Sequence, residues 1–187
     1  MSSYDKQYKT EKLFGEPYPE LIDFFSTHSK RSKLLDLGCG QGRDAIPIAR
    51  LGYNVTAIDK SKVGIKQMIL KSQKEGLKIH GYVEDIYKYN DFNKYDFILL
   101  DSMFHFYKKD KYKETGLIKR IIYNSKIGAV IVFCIQDTGK KVEILNKSIK
   151  ITKKVKILKE LAFKYNWIDK DSGHNSFTNY KMIAIQT

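Results

Sequence analysis

The stretch Leu34 to Asp44, LLDLGCGQGRD, constrains the fold more than any other part of the chain. Leu34 to Leu37, broken only by Asp36, reads as a strand, and Gly38, Gly40 and Gly42 read as the turn that leaves it. Glycine loses more backbone freedom on folding than any other residue, so such a cluster belongs where the chain bends sharply or approaches a ligand closely. The spacing G-x-G-x-G is neither the dinucleotide turn G-x-G-x-x-G nor the phosphate-binding G-x-x-x-x-G-K-[ST]. The next strand, in NVTAIDKS, closes on Asp59. An acid at the end of the second strand of a βαβ unit can accept hydrogen bonds from both hydroxyls of a ribose. Acids at successive strand ends suit ribose hydroxyls, an amino group or a cation far better than pyrophosphate.

The rest of the chain alternates in the same manner. Strands are expected at Lys33–Leu37, Asn54–Ile58, Lys78–Val83, Tyr95–Leu100 and Ala129–Ile135. The fourth and fifth are continuous apolar runs, as in parallel strands covered on both faces. Between them, Ala45, Ile48 and Ala49 share a helical face that stops at Gly52. Ile65, Met68 and Ile69 share a second, begun by Ser61 and ended by Gly76, and Leu117, Ile118, Ile121 and Ile122 mark a third. Pro47 falls in a first turn, where a missing N–H costs little. A helix near Lys140–Ile149 is followed by two long strand patterns, Val155–Ile168 and Phe177–Gln186. The segment between these, DKDSGHNS, is short for a crossover helix, so they should pair antiparallel. The expected class is α/β: a three-layer, doubly wound, mostly parallel seven-stranded sheet ending in a β-hairpin. With 187 residues and no linker or repeat, the chain is expected to form one domain, with an N-terminal lid and helix over 1–30 and a core over 31–187.

At 42% hydrophobic and 13% aromatic, the composition is that of a folded globule. No run approaches the ~20 apolar residues of a membrane span, and the polar start is unlike a signal peptide. Cys39 and Cys134 have no metal-ligand spacing and read as reduced thiols of a cytoplasmic protein. The net charge of +13 raises the question of nucleic acid, but the excess is lysine scattered from Lys6 to Lys181. Arginine, with its planar fork, is the residue a phosphate-reading surface favours. The lysines therefore read as solvated surface.

The chain resembles the class I S-adenosylmethionine-dependent methyltransferases. LLDLGCGQG matches their first motif, VTAID the second-strand acid, YVEDI the adenine-site segment, YDFILLD the fourth strand and SKIGAVIVF the fifth with its glycine turn. Within that class, LDLGCGQGRDAIPIARLGYNVTAIDKS and the entry segment LFGEPYPEL look most like the small-molecule branch that includes tellurite-resistance and thiopurine methyltransferase-like proteins. The resemblance implies S-adenosyl-L-methionine as cofactor and S-adenosyl-L-homocysteine as product. It implies that Gly38, Cys39 and Gly40 lie against the methionine portion, and that Asp36 orients the loop or reaches the cofactor amino group. Asp59 would take the ribose hydroxyls, with Lys60 and Ser61 beside the adenine; Asp85 would accept from the adenine amino group, and Ile86 would complete that contact. Asp101 and Ser102, at the carboxyl end of the fourth strand, would lie where cofactor and acceptor meet.

Methyl transfer from a sulfonium is an in-line displacement, and orientation can be worth on the order of 10⁵–10⁸ M in effective concentration. A base helps only where the acceptor must lose a proton, by about 10²–10⁴-fold. His105 and His174, with Asp101, stand where a base would be used; their structural alternatives are packing between Phe104 and Phe106 for the first and a solvated turn for the second. His28 and His80 have no such placement. Tyr4, Tyr8, Phe14 and Tyr18 surround the entry segment, where the resemblance implies a lid. The leading reading is transfer to a small-molecule acceptor by a monomer or homodimer with no membrane partner, nucleic acid being disfavoured as a partner but left open. RNA or protein methylation is a second reading. DSMF stands at Asp101–Phe104, where exocyclic-amine methyltransferases carry [DNS]-P-P-[FYW], which argues against base methylation. A cofactor-binding protein without catalysis is a third reading, and an NAD-dependent oxidoreductase, disfavoured by the glycine spacing, a fourth.

Overall fold

A computed structural model describes residues 5, 8, 13–28, 32–152, 155–168 and 175–187. Contacts divide the chain into two compact units, Met1–Tyr89 and Asn90–Thr187. Seven strands lie in one sheet, in the spatial order Ile79–Val83, Asn54–Asp59, Lys33–Leu37, Phe97–Asp101, Val130–Gln136, Asn175–Gln186 and Lys156–Ile168.

The first unit holds α1 (Pro19–Ser26), β1 (Lys33–Leu37), α2 (Ala45–Arg50), β2 (Asn54–Asp59), α3 (Lys62–Lys74) and β3 (Ile79–Val83). β1 pairs parallel with β2, Asp36 opposite Ala57, and β2 pairs parallel with β3, Asp59 opposite Val83. Four of the five residues of β1 are buried, which is why its sequence is apolar on both faces. Pro19 starts α1, where its fixed φ suits a first turn. The helix buries Leu21, Phe24 and Phe25, and Phe25 meets Tyr53 edge-on at 5.5 Å. The Tyr53 hydroxyl donates to the Phe25 carbonyl at 2.8 Å, and burial pushes its pKa up to about 12. Ser61 caps α3 as expected, its Oγ accepting from the Gly64 N–H at 3.1 Å.

The second unit holds a 3₁₀ turn (Phe92–Lys94), β4 (Phe97–Asp101), α4 (Lys111–Asn124), β5 (Val130–Gln136), α5 (Lys141–Lys150), β6 (Lys156–Ile168) and β7 (Asn175–Gln186). β4 starts two residues later than the apolar pattern predicts, because Tyr95 closes the 3₁₀ turn through its N–H to the Phe92 carbonyl. β5 runs parallel to β4 and antiparallel to β7, and β6 pairs antiparallel with β7, so the expected hairpin does finish the sheet. β4 is buried throughout, and β7 buries Met182 to Ile185. The edge strand β6 exposes Lys156 to Glu160, and its register shifts between Ile157 and Lys159. Charged side chains and an irregularity of this kind discourage another chain from pairing with the free edge.

Gly64, in the first turn of α3, lets this helix approach the glycine loop. A Cβ there would stand 2.7 Å from the Gly40 carbonyl oxygen, a backbone atom that cannot swing aside. Gly64→Ala should therefore cost about 1–3 kcal/mol despite alanine's better helix propensity. Chemical denaturation of the two proteins checks this; an alanine variant as stable as the parent would contradict the contact.

Candidate functional site

In the first unit the site is built on the turn between β1 and α2. Gly38 and Gly40 have φ of 84° and 52°, a left-handed backbone that favours glycine. The Gly38 and Cys39 N–H groups both donate to the Ile58 carbonyl, at 2.7 and 3.2 Å, so the turn leans on the end of β2. Asp59 completes the attachment. Its Oδ2 accepts from the Gly40 N–H at 3.0 Å and its Oδ1 from the Ser61 N–H at 2.6 Å. One carboxylate thus ties the glycine turn to the start of α3. A carboxylate offers about four acceptor positions, so these two bonds leave room for hydroxyls. Burial raises the Asp59 pKa, the two N–H donors working against it.

Asp36, in β1 just before the turn, is almost fully buried, and its Oδ2 has no hydrogen-bond partner among the described residues. Desolvation, with Asp44 next, holds its pKa well above the usual carboxylate range. The Cys39 thiol is likewise pushed up by burial, then by Asp36 and Asp59. Arg43 is occupied elsewhere: its guanidinium forks onto Asp44 at 3.2 and 3.1 Å and lies 4.6 Å above the Tyr18 ring.

Asp85 pairs with Lys60 at 3.1 Å through Oδ2, and its Oδ1 accepts from the Tyr87 N–H at 3.0 Å. The Glu84 N–H donates to the Asp59 carbonyl, which brings the segment after β3 beside Asp59, and Ile86 is buried.

Of the four expected lid aromatics, Tyr4 lies outside the described residues. Tyr8 is buried, with its hydroxyl 2.6 Å from where a Cβ on Gly40 would stand, so it lies directly on the glycine turn. Its carbonyl accepts from Gln67 at 2.9 Å, the Leu13 N–H donates to Gln41 at 3.0 Å, and Phe14 meets the Tyr8 ring edge-on. Tyr18 is fully buried and packs under Arg43. Asp5, Gln41 and Gln67 have no sequence signature, yet they fasten this segment. The buried Asp5 carboxylate accepts from the Ser61 hydroxyl at 2.6 Å, and that hydroxyl in turn caps α3.

In the second unit, Asp101 and Ser102 stand at the carboxyl end of β4, as the sequence predicts. Ser102 has φ of 55°, unusual for a residue other than glycine, and it is held on several sides. Its N–H donates to the Cys134 carbonyl at 2.9 Å, its Oγ donates to Asp101 Oδ1 at 2.9 Å, and the same Oγ lies 3.3 Å from the Tyr180 hydroxyl. Tyr180 sits opposite Gln136 of β5 in register and stacks on Phe163. His105 does not pack between its neighbours: Phe104 and Phe106 stack on each other at 5.6 Å, and the His105 ring stacks on Tyr107 at 5.5 Å. Burial and the Lys141 ammonium lower the His105 pKa, with Glu114 and Asp110 opposing. Lys141, from α5, donates to Gln136 Oε1 at 2.7 Å. Glu114, Gln136, Lys141 and Tyr180 are members of this cluster that the sequence does not announce, since each reads as an ordinary helix-face or strand-end residue. His174 lies outside the described residues.

The raised pKa of Asp36 makes a stability prediction. Its protonated form fits the fold better than its charged form, so its charge destabilises the protein above the ordinary carboxylate range. That loss is complete above the raised folded value and vanishes below the unfolded value of about 3.9. Asp36→Asn should gain in melting temperature relative to the parent as pH rises from the unfolded value to the raised folded one, and gain no further above it. Paired thermal melts across pH measure it, and a pH-independent difference would show that Asp36 is not desolvated as described.

Three comparisons bear on what such a site serves. The family model for tellurite resistance protein TehB matches residues 2–159. The Haemophilus influenzae protein named "Probable S-adenosyl-L-methionine-dependent methyltransferase TehB" is 31% identical over 125 residues, 67% of this chain and 41% of that protein. A ubiquinone biosynthesis O-methyltransferase of Rickettsia prowazekii is 40% identical over 76 residues, 40% of this chain and 30% of that one. The aligned parts thus span well under half of these relatives' own lengths. The crystal structure of TehB from Haemophilus influenzae superposes with a TM-score of 0.74 at 20% identity, covering 98% of this chain and 65% of that chain. N-methyltransferase NodS from Bradyrhizobium japonicum, solved with S-adenosyl-L-homocysteine, gives a TM-score of 0.73 at 14% identity, covering 99% of this chain and 96% of that one.

Proposed function

Since the chain belongs to the tellurite resistance protein TehB family of class I S-adenosylmethionine-dependent methyltransferases, we propose that it transfers a methyl group from S-adenosylmethionine to a small-molecule acceptor. The observation that carries this reading is the acid-lined glycine turn: Asp36 in the strand that leads into it, buried with an oxygen unmatched among the described residues, and Asp59 bolted across it with acceptor capacity left over. These residues fit the cofactor. A buried carboxylate oxygen without a donor is suited to an ammonium group, and binding one would relieve the desolvation that raises the Asp36 pKa. Asp59 is suited to ribose hydroxyls, and the Asp85–Ile86 segment beside it to the base, with Lys60 and Ser61 at its edge. A pyrophosphate would meet two carboxylates at the same turn, which disfavours a nicotinamide dinucleotide.

The bound cofactor supplies a methyl on a positively charged sulfur, an electrophile with its leaving group in place. What the chain must add is orientation and the exclusion of water. Gly38, Cys39 and Gly40 present main chain to the amino-acid portion, held by the Ile58 carbonyl and Asp59. Tyr8 covers that turn and keeps solvent from it. Asp101 and Ser102 belong to the same assignment as residues lining the reacting end. His105, whose lowered pKa keeps it neutral near pH 7, is suited to accept a proton from an acceptor that must lose one. A neutral base is also compatible with acceptors that lose none, such as oxyanions of tellurium or selenium and thioethers. His174 is retained as a second candidate base on its sequence position.

Titration calorimetry tests the cofactor directly. S-adenosyl-L-homocysteine should bind and NADH should not; the reverse would overturn the reading. Asp59→Ala should weaken S-adenosyl-L-homocysteine at least about tenfold, the loss of one charge-assisted hydrogen bond being worth 1.5–3 kcal/mol. Release of S-adenosyl-L-homocysteine should then be assayed with tellurite, selenite, a thiol, a catechol and total RNA. Turnover on RNA alone would replace the small-molecule assignment, and binding without turnover on any of them would favour a non-catalytic cofactor-binding protein.

A further inference from the structure

We propose that Glu114 is the positioning residue for His105: its buried carboxylate clamps the turn after β4 by two backbone hydrogen bonds and so fixes where the imidazole stands and which charges face it. The inference rests on the reading of His105 as the acceptor-side base, but its observations are separate. Glu114 Oε1 accepts from the His105 N–H at 3.2 Å and Oε2 from the Phe106 N–H at 2.6 Å. The glutamate is 3% exposed, although it lies on the first turn of a helix whose neighbouring residues Lys111, Tyr112 and Lys113 face solvent. Charged carboxylates are almost never buried unless hydrogen-bonded or paired, and here both oxygens are spent on two consecutive main-chain donors.

The backbone explains why a clamp is needed. Phe106 has φ of 52°, a left-handed conformation that is strained for a bulky residue and persists only where its surroundings over-determine it. Two supports are visible: the Glu114 carboxylate on its N–H, and the stack of its ring on Phe104. The chain then turns back on itself. Asp110 and Lys111 N–H groups both donate to the Tyr107 carbonyl at 2.8 Å, and the Glu114 N–H donates to the Asp110 carbonyl. That tight return brings the first turn of α4 against the segment it has just left. Glu114 therefore works locally, over eight or nine residues, yet it decides the course of the chain on both sides of His105.

The same carboxylate sets the electrostatics. The charges acting on His105 come from Lys141 on α5, Glu114 on α4 and Asp110 just before α4, while the Tyr107 ring covers one face. Lys141 lowers the His105 pKa and Glu114 raises it; Glu114 also raises that of Lys141, which burial depresses. A single buried anion thus opposes the depression of two bases on different elements. Without it, both would be held neutral to lower pH, and the imidazole would become a weaker proton acceptor.

Two substitutions separate reach from charge. Glu114→Gln keeps the length, loses the charge and can accept only through its carbonyl oxygen; Glu114→Asp keeps the charge and is one methylene too short for both N–H groups. Histidine C–H resonances followed by NMR against pH should show the His105 midpoint moved to lower pH in Glu114→Gln and nearer the parent value in Glu114→Asp. Amide hydrogen exchange at His105 and Phe106 should accelerate in both. Lys141→Met, which leaves the clamp untouched, should move the His105 midpoint the other way. An unchanged His105 midpoint in Glu114→Gln, whatever its melting temperature, would reduce Glu114 to a stabilising residue and overturn the proposal. So would unchanged exchange at the two amides. Should Glu114→Gln fail to fold, a Lys141→Met midpoint that does not rise would sink the electrostatic half and Glu114→Asp exchange would decide the clamp. Calorimetry with S-adenosyl-L-homocysteine on the parent is the independent control: failure there removes the methyltransferase reading and leaves the His105 result standing.

Discussion

The Asp59 carboxylate is the contact on which the first unit depends. It accepts from Gly40 on one side and Ser61 on the other, so the turn after β1 and the first turn of α3 are held by a single side chain at the end of β2. Each part needs the others. The glycine turn brings the Gly40 carbonyl so near α3 that only glycine fits at position 64, and Ser61 caps the helix while it receives the Asp5 contact. A parallel βαβ unit places its ligand at the carboxyl ends of its strands, and here that edge is organised around one acid.

The second unit solves a related problem differently. β4 ends in a run of residues that leave the sheet with two left-handed conformations, Ser102 and Phe106, neither of them glycine. Such strain is kept where neighbouring structure over-determines it. Ser102 is fixed from β5 and β7 through Cys134 and Tyr180, and Phe106 from α4 through Glu114. The hairpin β6–β7 is therefore more than an edge to the sheet, since its Tyr180 reaches the segment that carries His105.

Much of the fold is legible in the sequence because hydrophobic period and helix punctuation are local signals. The apolar runs of β4 and β5, the Ser61 cap and the stop at Gly76 all report themselves within a few residues. The long β6 and β7 patterns on either side of a short loop sufficed to predict an antiparallel pair. The position of Asp59 was equally legible, but its work on Gly40 and Ser61 was not, because a strand-end acid looks the same whether it faces a ligand or a main chain. Glu114 escaped for a sharper reason. In KYKETG it sits among exposed residues on a helix start, where a solvated glutamate is the ordinary reading, and only the return of the chain through Tyr107–Asp110 makes it buried. Asp5 likewise acquires meaning only from a partner 56 residues away.

Cys39 carries a consequence of the acid-lined turn that concerns reactivity. The thiolate, and not the thiol, is what electrophiles, peroxides and soft metalloids attack. Burial, Asp36, Asp59 and Asp44 all disfavour that anion, and together they hold the Cys39 pKa well above the ordinary range. A sulfur in the middle of the glycine turn is thereby kept chemically quiet. Burial first, and then the same carboxylates that would make the turn receptive to a cation, disfavour the reactive thiolate, so the turn can carry a soft, compact side chain in its thiol form.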